Sequence, residues 1–286
     1  MRDRLLVFIP CYNCEAQIPR VLRQLEAVPA GLIDEVLVID NGSRDGTLDA
    51  ARAGVARLGA AAAKVVRNDE NYNLGGSHKA AFAYAAQNDF SHVVVLHGDD
   101  QGRIGDLIPL LVAGEHRRWD ALLGSRFMKA AQPIGYSRFR IFGNHLFNLI
   151  FSAVLGLRVQ DLGSGLNVFA RSVFTDPALE RCADDLRFNV FLLLRLVYAE
   201  RRLTFFPISW REEDQVSNVR IVSQAVRTLE IAGDYMLRGA RFWTDEHRDA
   251  PKAAYTFQVM AEHTPDLDGL PALTPQSAPA ALVVQA

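Results

Sequence analysis

The sequence alternates regularly between short apolar runs and segments whose apolar residues recur three or four positions apart. The apolar runs predict strands at 5–9, 36–39, 65–66, 93–96 and 121–123. The segments between and after them predict helices at 15–25, 47–58, 77–87 and 104–113. Such alternation is typical of βαβ units with right-handed crossovers. We therefore predict an α/β fold with a mostly parallel, Rossmann-like central sheet flanked by helices.

The chain is long enough for one large core. It has 286 residues, of which 49 % are hydrophobic, which predicts a single domain over about 1–240. The strand–helix pattern changes after Gly124-Ser125-Arg126 and divides this domain into halves of about 1–125 and 126–240. The remaining 241–286 should form a helical C-terminal extension. Its Pro- and Ala-rich part beyond about 264 predicts a flexible tail.

The charge balance excludes one class of partner. The chain has 31 basic and 33 acidic residues and a formal net charge of −2, so it lacks the basic field of a general nucleic-acid binder. Its N-terminal apolar run is cut short by Pro10 and does not form a secretion signal. We therefore expect a cytoplasmic protein.

Two of the three cysteines form a C-x-x-C pair, Cys11 and Cys14, at a predicted strand-to-helix junction. A helix N-terminus lowers the pKa of a thiol, so the pair has a redox interpretation. The alternative is two small buried residues in a turn. The chain is far longer than a redox module, which favours the second interpretation.

The segment 139–157 is strongly apolar, and Asn144, His145, Asn148 and Ser152 give it a polar stripe at helical spacing. It is marginal in length for a membrane span. Core packing is one interpretation of its apolar side. Contact with a membrane surface, helped by the neighbouring Arg126, Arg138 and Arg140, is the other.

Polar residues follow four of the predicted strands. They are Pro10-Cys11-Tyr12-Asn13, Asp40-Asn41-Gly42-Ser43, the run from Asn68 to Gly76, and Asp99-Asp100-Gln101. The carboxyl ends of parallel strands share one edge of a sheet, where ligands of open α/β folds bind. Backbone N–H groups at the following helix N-termini can receive phosphate oxygens, and carboxylates can hold a hard divalent cation.

With these motifs in this order, residues 4–235 resemble glycosyltransferase family 2, and within it the dolichol- or polyprenyl-phosphate mannosyltransferase-like branch. The resemblance implies the GT-A fold, a nucleotide-binding first half and an acceptor-binding second half. The family's P-x-Y-N, D-D-G-S-x-D-G-T, N-x-G-x-G and D-x-D-x-Q motifs imply a set of donor-binding residues in this chain. They are Pro10, Tyr12, Asn13, Glu15, Asp40, Asn41, Gly42, Ser43, Asn71, Gly75, Asp99, Asp100 and Gln101.

The sequence departs from these motifs in two places. Aligned through Gln101, the first carboxylate of the metal motif is replaced by His97, which leaves Asp99 as the best metal candidate and Asp100 as a second carboxylate. Imidazole suits Mn²⁺ better than Mg²⁺, and His97 has packing or hydrogen bonding as its alternative role. The second departure is Asn41, where the family has Asp.

Further family motifs imply residues of the second half. Gly124-Ser125-Arg126 matches G-S-R, and Asp161 with Ser164-Gly165 matches D-x-x-S-G. Arg211 follows a predicted strand at the place of the family's phosphate-binding Arg, while the family's next Lys is replaced by Asn218. Asp99, Arg126, Asp161 and Arg211 are therefore the predicted catalytic residues.

The resemblance implies an inverting hexosyltransferase of cell-envelope glycan biosynthesis. It would use a UDP- or GDP-sugar, a divalent cation (Mn²⁺ or Mg²⁺) and a polyprenyl phosphate acceptor, with peripheral contact at the inner face of the membrane. An anionic acceptor needs no general base, whereas a hydroxyl of a glycan acceptor would need one. Asp161, Asp184 and Asp185 are the candidate bases, and Asp184-Asp185 has helix capping as its alternative. The other functions left open are a hydroxyl-directed transferase and a weakened sugar-nucleotide-binding module.

Overall fold

A computed structural model describes residues 3–59, 61–135, 138–212 and 221–265. Val216, Ser217, Asn218 and the predicted tail beyond 265 lie outside the described residues, as does the side chain of Arg138.

The described strands and helices alternate along most of the chain, as the sequence predicts. The strands are β1 (Leu5–Cys11), β2 (Glu35–Asp40), β3 (Ala62–Asn68), β4 (His92–Leu96), β5 (Ala121–Ser125), β6 (Gln132–Ile134), β7 (Leu166–Ala170), β8 (Leu203–Pro207), β9 (Ser209–Arg211) and β10 (Phe257–His263). The helices are α1 (Ile18–Leu25), α2 (Thr47–Val55), α3 (Asn73–Gln87), α4 (Ile108–Val112), α5 (Arg138–Leu155), α6 (Arg171–Phe174), α7 (Phe188–Tyr198) and α8 (Ile221–Arg238).

Eight strands form one sheet in the order β10-β3-β2-β1-β4-β7-β5-β8. Its neighbours pair in parallel except where β7 lies between β4 and β5 and where β10 pairs with β3. The carboxyl ends of β1, β2, β3, β4, β5 and β8 therefore share one edge, and the turn that leads into β7 lies at the same edge. Strands β6 and β9 form a separate parallel pair beyond β8.

Helices cover both faces of the sheet because successive strand residues point to opposite sides. One apolar cluster contains residues of α3, α5, α7 and α8, and the other contains residues of α1, α2 and α4. Strands β1 and β4 contribute to both clusters, which explains why they are apolar throughout. This confirms the predicted GT-A class, a mostly parallel sheet between two helical layers.

The C-terminal extension is not only helical. After α8 the chain returns across the molecule, and Phe257–His263 pairs antiparallel with β3. The strand covers an edge that would otherwise expose unpaired backbone groups. Its residues are mostly half-buried or exposed, so the sequence carries no continuous apolar run that would have predicted it.

Substitution of Gly124, near the end of β5, tests how closely β5 and β7 approach each other. A Cβ atom at this position would lie 2.4 Å from the carbonyl oxygen of Leu166, so we expect Gly124→Ala to destabilise the fold by about 1–3 kcal/mol. Gly233→Ala in α8 is the matched control because its Cβ would meet nothing within 4 Å. That variant should gain up to about 1 kcal/mol of helix propensity. Urea denaturation measures both, and equal midpoints would contradict this packing.

Candidate active site

The loops after β1 and β2 are hydrogen-bonded to each other. The N–H of Asn13 donates to Ser43 Oγ at 2.9 Å, and the N–H of Arg44 donates to Asn13 Oδ1 at 2.9 Å. Glu15 Oε2 accepts from the N–H of Gly46 at 3.0 Å. Asn13 has a φ of 51°, a left-handed conformation that Asn tolerates better than most residues. Three predicted donor-binding residues, Asn13, Glu15 and Ser43, thus fix the shape of this part of the edge.

Asp40 retains one unused acceptor at the same edge. It is completely buried, and its Oδ1 accepts from the N–H of Ser43 at 3.0 Å. Its Oδ2 has no hydrogen-bond partner among the described residues, although Arg67 Nε lies 3.5 Å away. Nearby in sequence, the ring of Tyr12 is 45 % exposed. A buried acceptor and an exposed aromatic ring are the groups that recognition of a base or ribose requires.

Asn41 is the hub of the loop that follows β3. Its Oδ1 accepts from the N–H of Tyr72 at 2.8 Å and from Asn68 Nδ2 at 2.9 Å. Its Nδ2 donates to Asn71 Oδ1 at 2.9 Å, and that same oxygen also accepts from the N–H of Asn73. An Asp at position 41 would have no donor for Asn71. The departure from the family motif is therefore explained by the hydrogen bonding of this loop.

Two predicted glycines, Gly42 and Gly75, occupy positions that exclude larger residues. Gly42 has a φ of +77°, in the left-handed region. A Cβ on Gly75 would lie 2.6 Å from the carbonyl oxygen of Ala183. The N–H groups of Gly75 and Gly76 both donate to the carbonyl oxygen of Asp184, so the start of α3 is fixed against the loop before α7.

His97 follows β4 and packs into the turn before β7. Its N–H donates to the carbonyl oxygen of Gly165 at 2.9 Å, and a Cβ on Gly165 would lie 2.8 Å from the imidazole ring. Burial, with a smaller contribution from the positive charge of Arg126, lowers the pKa of His97 to about 4. The neutral ring keeps its Nε2 buried without a hydrogen-bond partner among the described residues. Packing and an available ligand atom therefore coexist at His97.

The carboxyl groups of Asp99 and Asp100 have different environments. Burial raises the pKa of Asp99 to about 6, and the charge of Asp100 adds to the rise while Arg126 opposes it. Asp100 has a φ of 58°, and its two carboxylate oxygens accept from Arg20 Nε at 2.6 Å and Gln24 Nε2 at 2.8 Å. The carboxylate of Asp100 thus fastens the metal-motif loop to α1. Asp99 Oδ1 accepts from the N–H of Gln101 at 3.3 Å, within the metal-motif loop itself, so Asp99 and His97 are the better candidates to hold a cation.

Arg126 and Asp161 form a buried two-point ion pair. Arg126 Nε donates to Asp161 Oδ2 at 2.8 Å and its Nη2 donates to Asp161 Oδ1 at 2.7 Å. The N–H of Arg126 also donates to Asp161 Oδ2, and the guanidinium lies 5.1 Å from the ring centre of Trp210. Such planar, doubly bonded geometry fixes the Arg side chain in one orientation. Two residues 35 positions apart in sequence are thereby brought together.

Arg211 is placed beside the metal-motif loop by backbone pairing. The N–H of Arg211 donates to the carbonyl oxygen of Gln101 at 3.0 Å, and Gly102 forms a bridge with Trp210. The guanidinium of Arg126 lies over the indole of Trp210, and Arg211 is the next residue after Trp210 in sequence. Sequence reasoning did not single out Trp210, whose ring is buried.

The candidate general bases are all engaged in ion pairs. Asp161 is held by Arg126, as described. Asp184 Oδ1 accepts from Lys79 Nζ at 2.6 Å and from the hydroxyl of Tyr255 at 2.6 Å. Asp185 pairs with Arg187 at 2.8 Å and also accepts the N–H of Arg187. Helix α7 begins at Phe188 with Arg187 as its N-cap and without a side-chain capping bond, so Asp185 closes the turn before the helix and does not cap it.

Cys11 and Cys14 are buried beneath the metal-motif loop. A Cβ on Gly98 would lie 2.6 Å from Cys11 Sγ and 3.3 Å from Cys14 Sγ. The hydrogen bond between the two thiols, with Cys11 keeping its proton, and burial both raise the pKa of Cys11, so its thiol is protonated and poorly nucleophilic. The pair acts as packing for Gly98, which favours the structural interpretation over a redox one.

Comparison with known proteins identifies the family. The model of "Glycosyl transferase family 2" matches residues 6–178, more than half of the chain. The chain belongs to glycosyltransferase family 2. None of the described helices combines the length and the apolar character needed to cross a membrane.

Relatives of this family 2 chain include undecaprenyl-phosphate 4-deoxy-4-formamido-L-arabinose transferases. The protein of Pseudomonas aeruginosa (strain LESB58) is 31% identical over 173 residues, covering 60% of this chain and 48% of the relative. That of Aeromonas hydrophila is 30% identical over 169 residues, covering 58% and 49%. The chain thus spans about half the length of these curated relatives.

Solved structures share the fold of this family 2 chain. Glucosyl-3-phosphoglycerate synthase from Mycobacterium tuberculosis in complex with Mn²⁺, UDP and glucosyl-3-phosphoglycerate aligns with a TM-score of 0.59 at 16% identity, over 92% of this chain and 90% of that chain. The UDP complex of the same enzyme aligns with a TM-score of 0.57 at 18% identity, over 82% and 80%.

The pKa of Asp99 predicts a pH-dependent stability without metal. Because the folded state raises this pKa from 3.8 to about 6, folding favours the protonated form, and stability falls as the pH rises through that interval. Asn cannot ionise, so Asp99→Asn should escape the loss. In chelator, we expect the melting temperature of this variant to exceed that of the parent by more at about pH 7.5 than at about pH 5. A difference that does not change with pH would contradict the burial of this carboxyl.

Proposed function

We propose that this protein is an inverting glycosyltransferase that moves a sugar from a nucleotide-diphospho-sugar to a polyprenyl phosphate. Membership of glycosyltransferase family 2 supports the donor class. The relatives named undecaprenyl-phosphate 4-deoxy-4-formamido-L-arabinose transferase support the acceptor class.

The ion pairs of the three candidate bases favour a phosphate acceptor over a hydroxyl acceptor. A hydroxyl acceptor needs a carboxylate base whose lone pairs are available, whereas Asp161, Asp184 and Asp185 are each neutralised by Arg or Lys at 2.6–2.8 Å. An acceptor phosphate is already an anion and needs no proton removed. The arrangement therefore suits a phosphate oxygen as the nucleophile.

Asp99 and His97 fit a divalent cation on the donor side. The carboxyl of Asp99 resists ionisation because it is buried, and the neutral His97 keeps an unpaired Nε2. A nearby cation would favour ionised Asp99 and use the imidazole lone pair. The bound Mn²⁺ or Mg²⁺ would supply charge neutralisation for the leaving diphosphate. Arg126, oriented by Asp161, would add a fixed positive group at the same edge.

An open cavity next to this pair provides a place for the acceptor. It measures about 510 Å³ and lies between α5 and the segment before β7. Its lining combines apolar groups with the exposed Arg158 and with His145. It also includes Phe127 and Gln160, which are the sequence neighbours of Arg126 and Asp161. A cavity with an apolar wall and a cation suits an isoprenoid chain that carries a phosphate.

Leu149 of α5, which lines this cavity, is one of several exposed apolar side chains on α5 and α8. They are Phe142, Leu146 and Leu149 on α5 and Val226, Leu229, Met236 and Leu237 on α8. A polyprenyl phosphate resides in a lipid bilayer, so its transferase must reach the bilayer surface. We infer that this apolar face lies on the cytoplasmic side of the membrane and holds the enzyme peripherally, as amphipathic helices do.

The function is tested by a transfer assay with undecaprenyl phosphate in detergent and a panel of radiolabelled UDP- and GDP-sugars. Each donor is assayed with Mn²⁺, with Mg²⁺ and with chelator. One donor should yield a metal-dependent product that partitions into butanol. Asp99→Asn should lower kcat/KM by about 100-fold or more, since it removes charge stabilisation at the leaving group. Asp89→Asn, the same substitution at a residue that is 85% exposed, is the matched control.

The assay separates the rival functions. Label that stays in a water-soluble glycan, made without the lipid, would replace the proposal with a hydroxyl-directed transferase. A nucleotide-sugar that stabilises the protein without any turnover would indicate a binding module. Normal turnover in Asp99→Asn would overturn the assignment of this site.

The membrane face is tested separately by flotation with vesicles of anionic phospholipid. Leu149→Ser combined with Phe142→Ser removes two of the most exposed apolar groups of α5, 68% and 67% exposed, and should reduce the bound fraction several-fold. Val112→Ser on α4, a residue 46% exposed, should bind like the parent. Equal binding of all three proteins would contradict this orientation.

A further inference from the structure

We propose that Asp3, His92 and His116 form a second metal site, selective for Zn²⁺ or a similar transition-metal ion, at the sheet edge opposite the candidate active site. One ligand atom of each residue lies within 4.8 Å of the other two. Within the described ranges this is the one group of three or more His, Cys, Asp or Glu that meets this distance. The proposed donor chemistry does not use these residues, and Asp3 lies before the residues 6–178 that the family model matches.

The three residues come from three separate segments of chain. His92 begins β4, Asp3 lies two residues before β1, and His116 lies in a 3₁₀ turn, Glu115–Arg117, that precedes β5. All three are therefore at the amino ends of parallel strands, whereas Asp99 and Arg126 follow the carboxyl ends. The site would bind an ion independently of the donor nucleotide.

The hydrogen bonding of His92 orients its ring for ligation. Ser91 Oγ donates its only proton to the carbonyl oxygen of Arg4 at 3.0 Å. The 3.0 Å contact between Ser91 Oγ and His92 Nδ1 therefore uses the proton of Nδ1. This leaves the lone pair on Nε2, and a second ring nitrogen that donates to a fixed oxygen is the usual support of a metal-bound His.

His116 lies against both partners. Its Nε2 is 3.2 Å from Asp3 Oδ2, and its ring centre is 4.9 Å from that of His92. Its Nε2 is therefore the ring nitrogen that faces the carboxylate of Asp3, while its Nδ1 is buried without a hydrogen-bond partner among the described residues. Burial also lowers the pKa of both histidines, and the neutral form is the one that binds metal ions.

The guanidinium of Arg117 would compete with a metal ion for the carboxylate of Asp3. Arg117 contacts Asp3 Oδ2 through its Nε, but its side chain is 67% exposed and can move into solvent, while Asp3 is 21% exposed. The entry side of the site is therefore the Asp3 side, where a water could complete a tetrahedral set. Two imidazoles with one carboxylate suit Zn²⁺ and Co²⁺ better than Mg²⁺, which prefers oxygen ligands. The ion would fasten the N-terminal segment to β4 and to the turn before β5.

The test is titration of the full chain with Co²⁺, followed by its visible absorption, in the Asp99→Asn background so that the donor site does not contribute. We expect one equivalent to give the intense bands of a tetrahedral ion, which Zn²⁺ displaces. His116→Gln should weaken Co²⁺ binding by about tenfold or more. Asp3→Asn, a change of one atom in a side chain that is 21% exposed, should weaken it as well and leaves the buried rings in place if His116→Gln fails to fold.

His145→Gln, an exposed histidine on α5, is the matched control and should bind Co²⁺ like the parent. Zn²⁺ should raise the melting temperature of the parent and of this control, and raise it less in Asp3→Asn. Absence of tetrahedral bands in the parent would overturn the proposal. So would equal Co²⁺ binding in the parent, Asp3→Asn and His116→Gln.

Discussion

The candidate active site depends on one strand that runs against the direction of its neighbours. Because β7 pairs antiparallel with both β4 and β5, the turn that precedes it meets the carboxyl ends of those strands. Gly165 can then accept the N–H of His97, and Asp161 can hold Arg126 through two hydrogen bonds. In an all-parallel sheet this turn would lie at the opposite edge. His97 and Arg126 lie at the same edge of the sheet through this reversal.

Much of the donor side is built from side chains that bind other parts of the protein. The side chains of Asn13, Glu15 and Asn41 hydrogen-bond to backbone and side-chain groups of neighbouring loops. A buried polar group must be paired, so these residues define the loop shapes within which Asp40 Oδ2 and Tyr12 remain for a ligand. The residues of the motifs thus divide into those that shape the edge and those left to bind at it.

The sequence was sufficient for the fold class because the apolar runs at Leu5–Cys11 and His92–Leu96 have a strong local signal. The predicted catalytic residues Asp99, Arg126, Asp161 and Arg211 came from the family motifs. The structure pairs Arg126 with Asp161 and places Arg211 beside Gln101. The sequence could not predict the orientation of Asp100, which depends on Arg20 and Gln24 some 80 and 76 positions away. Nor could it predict β10, whose pairing with β3 is a long-range contact without an apolar pattern.

The segment after α8 carries the end of the described chain to the far edge of the sheet, where β10 lies beside β3. On the way, Tyr255 contacts the Lys79–Asp184 pair that fixes the start of α3. A protein shortened to its first 240 residues would therefore lose a strand that pairs with β3, although the residues removed come late in the sequence. Chimaeras that exchange the second half of the chain must keep this returning segment with the first half, whose sheet it completes.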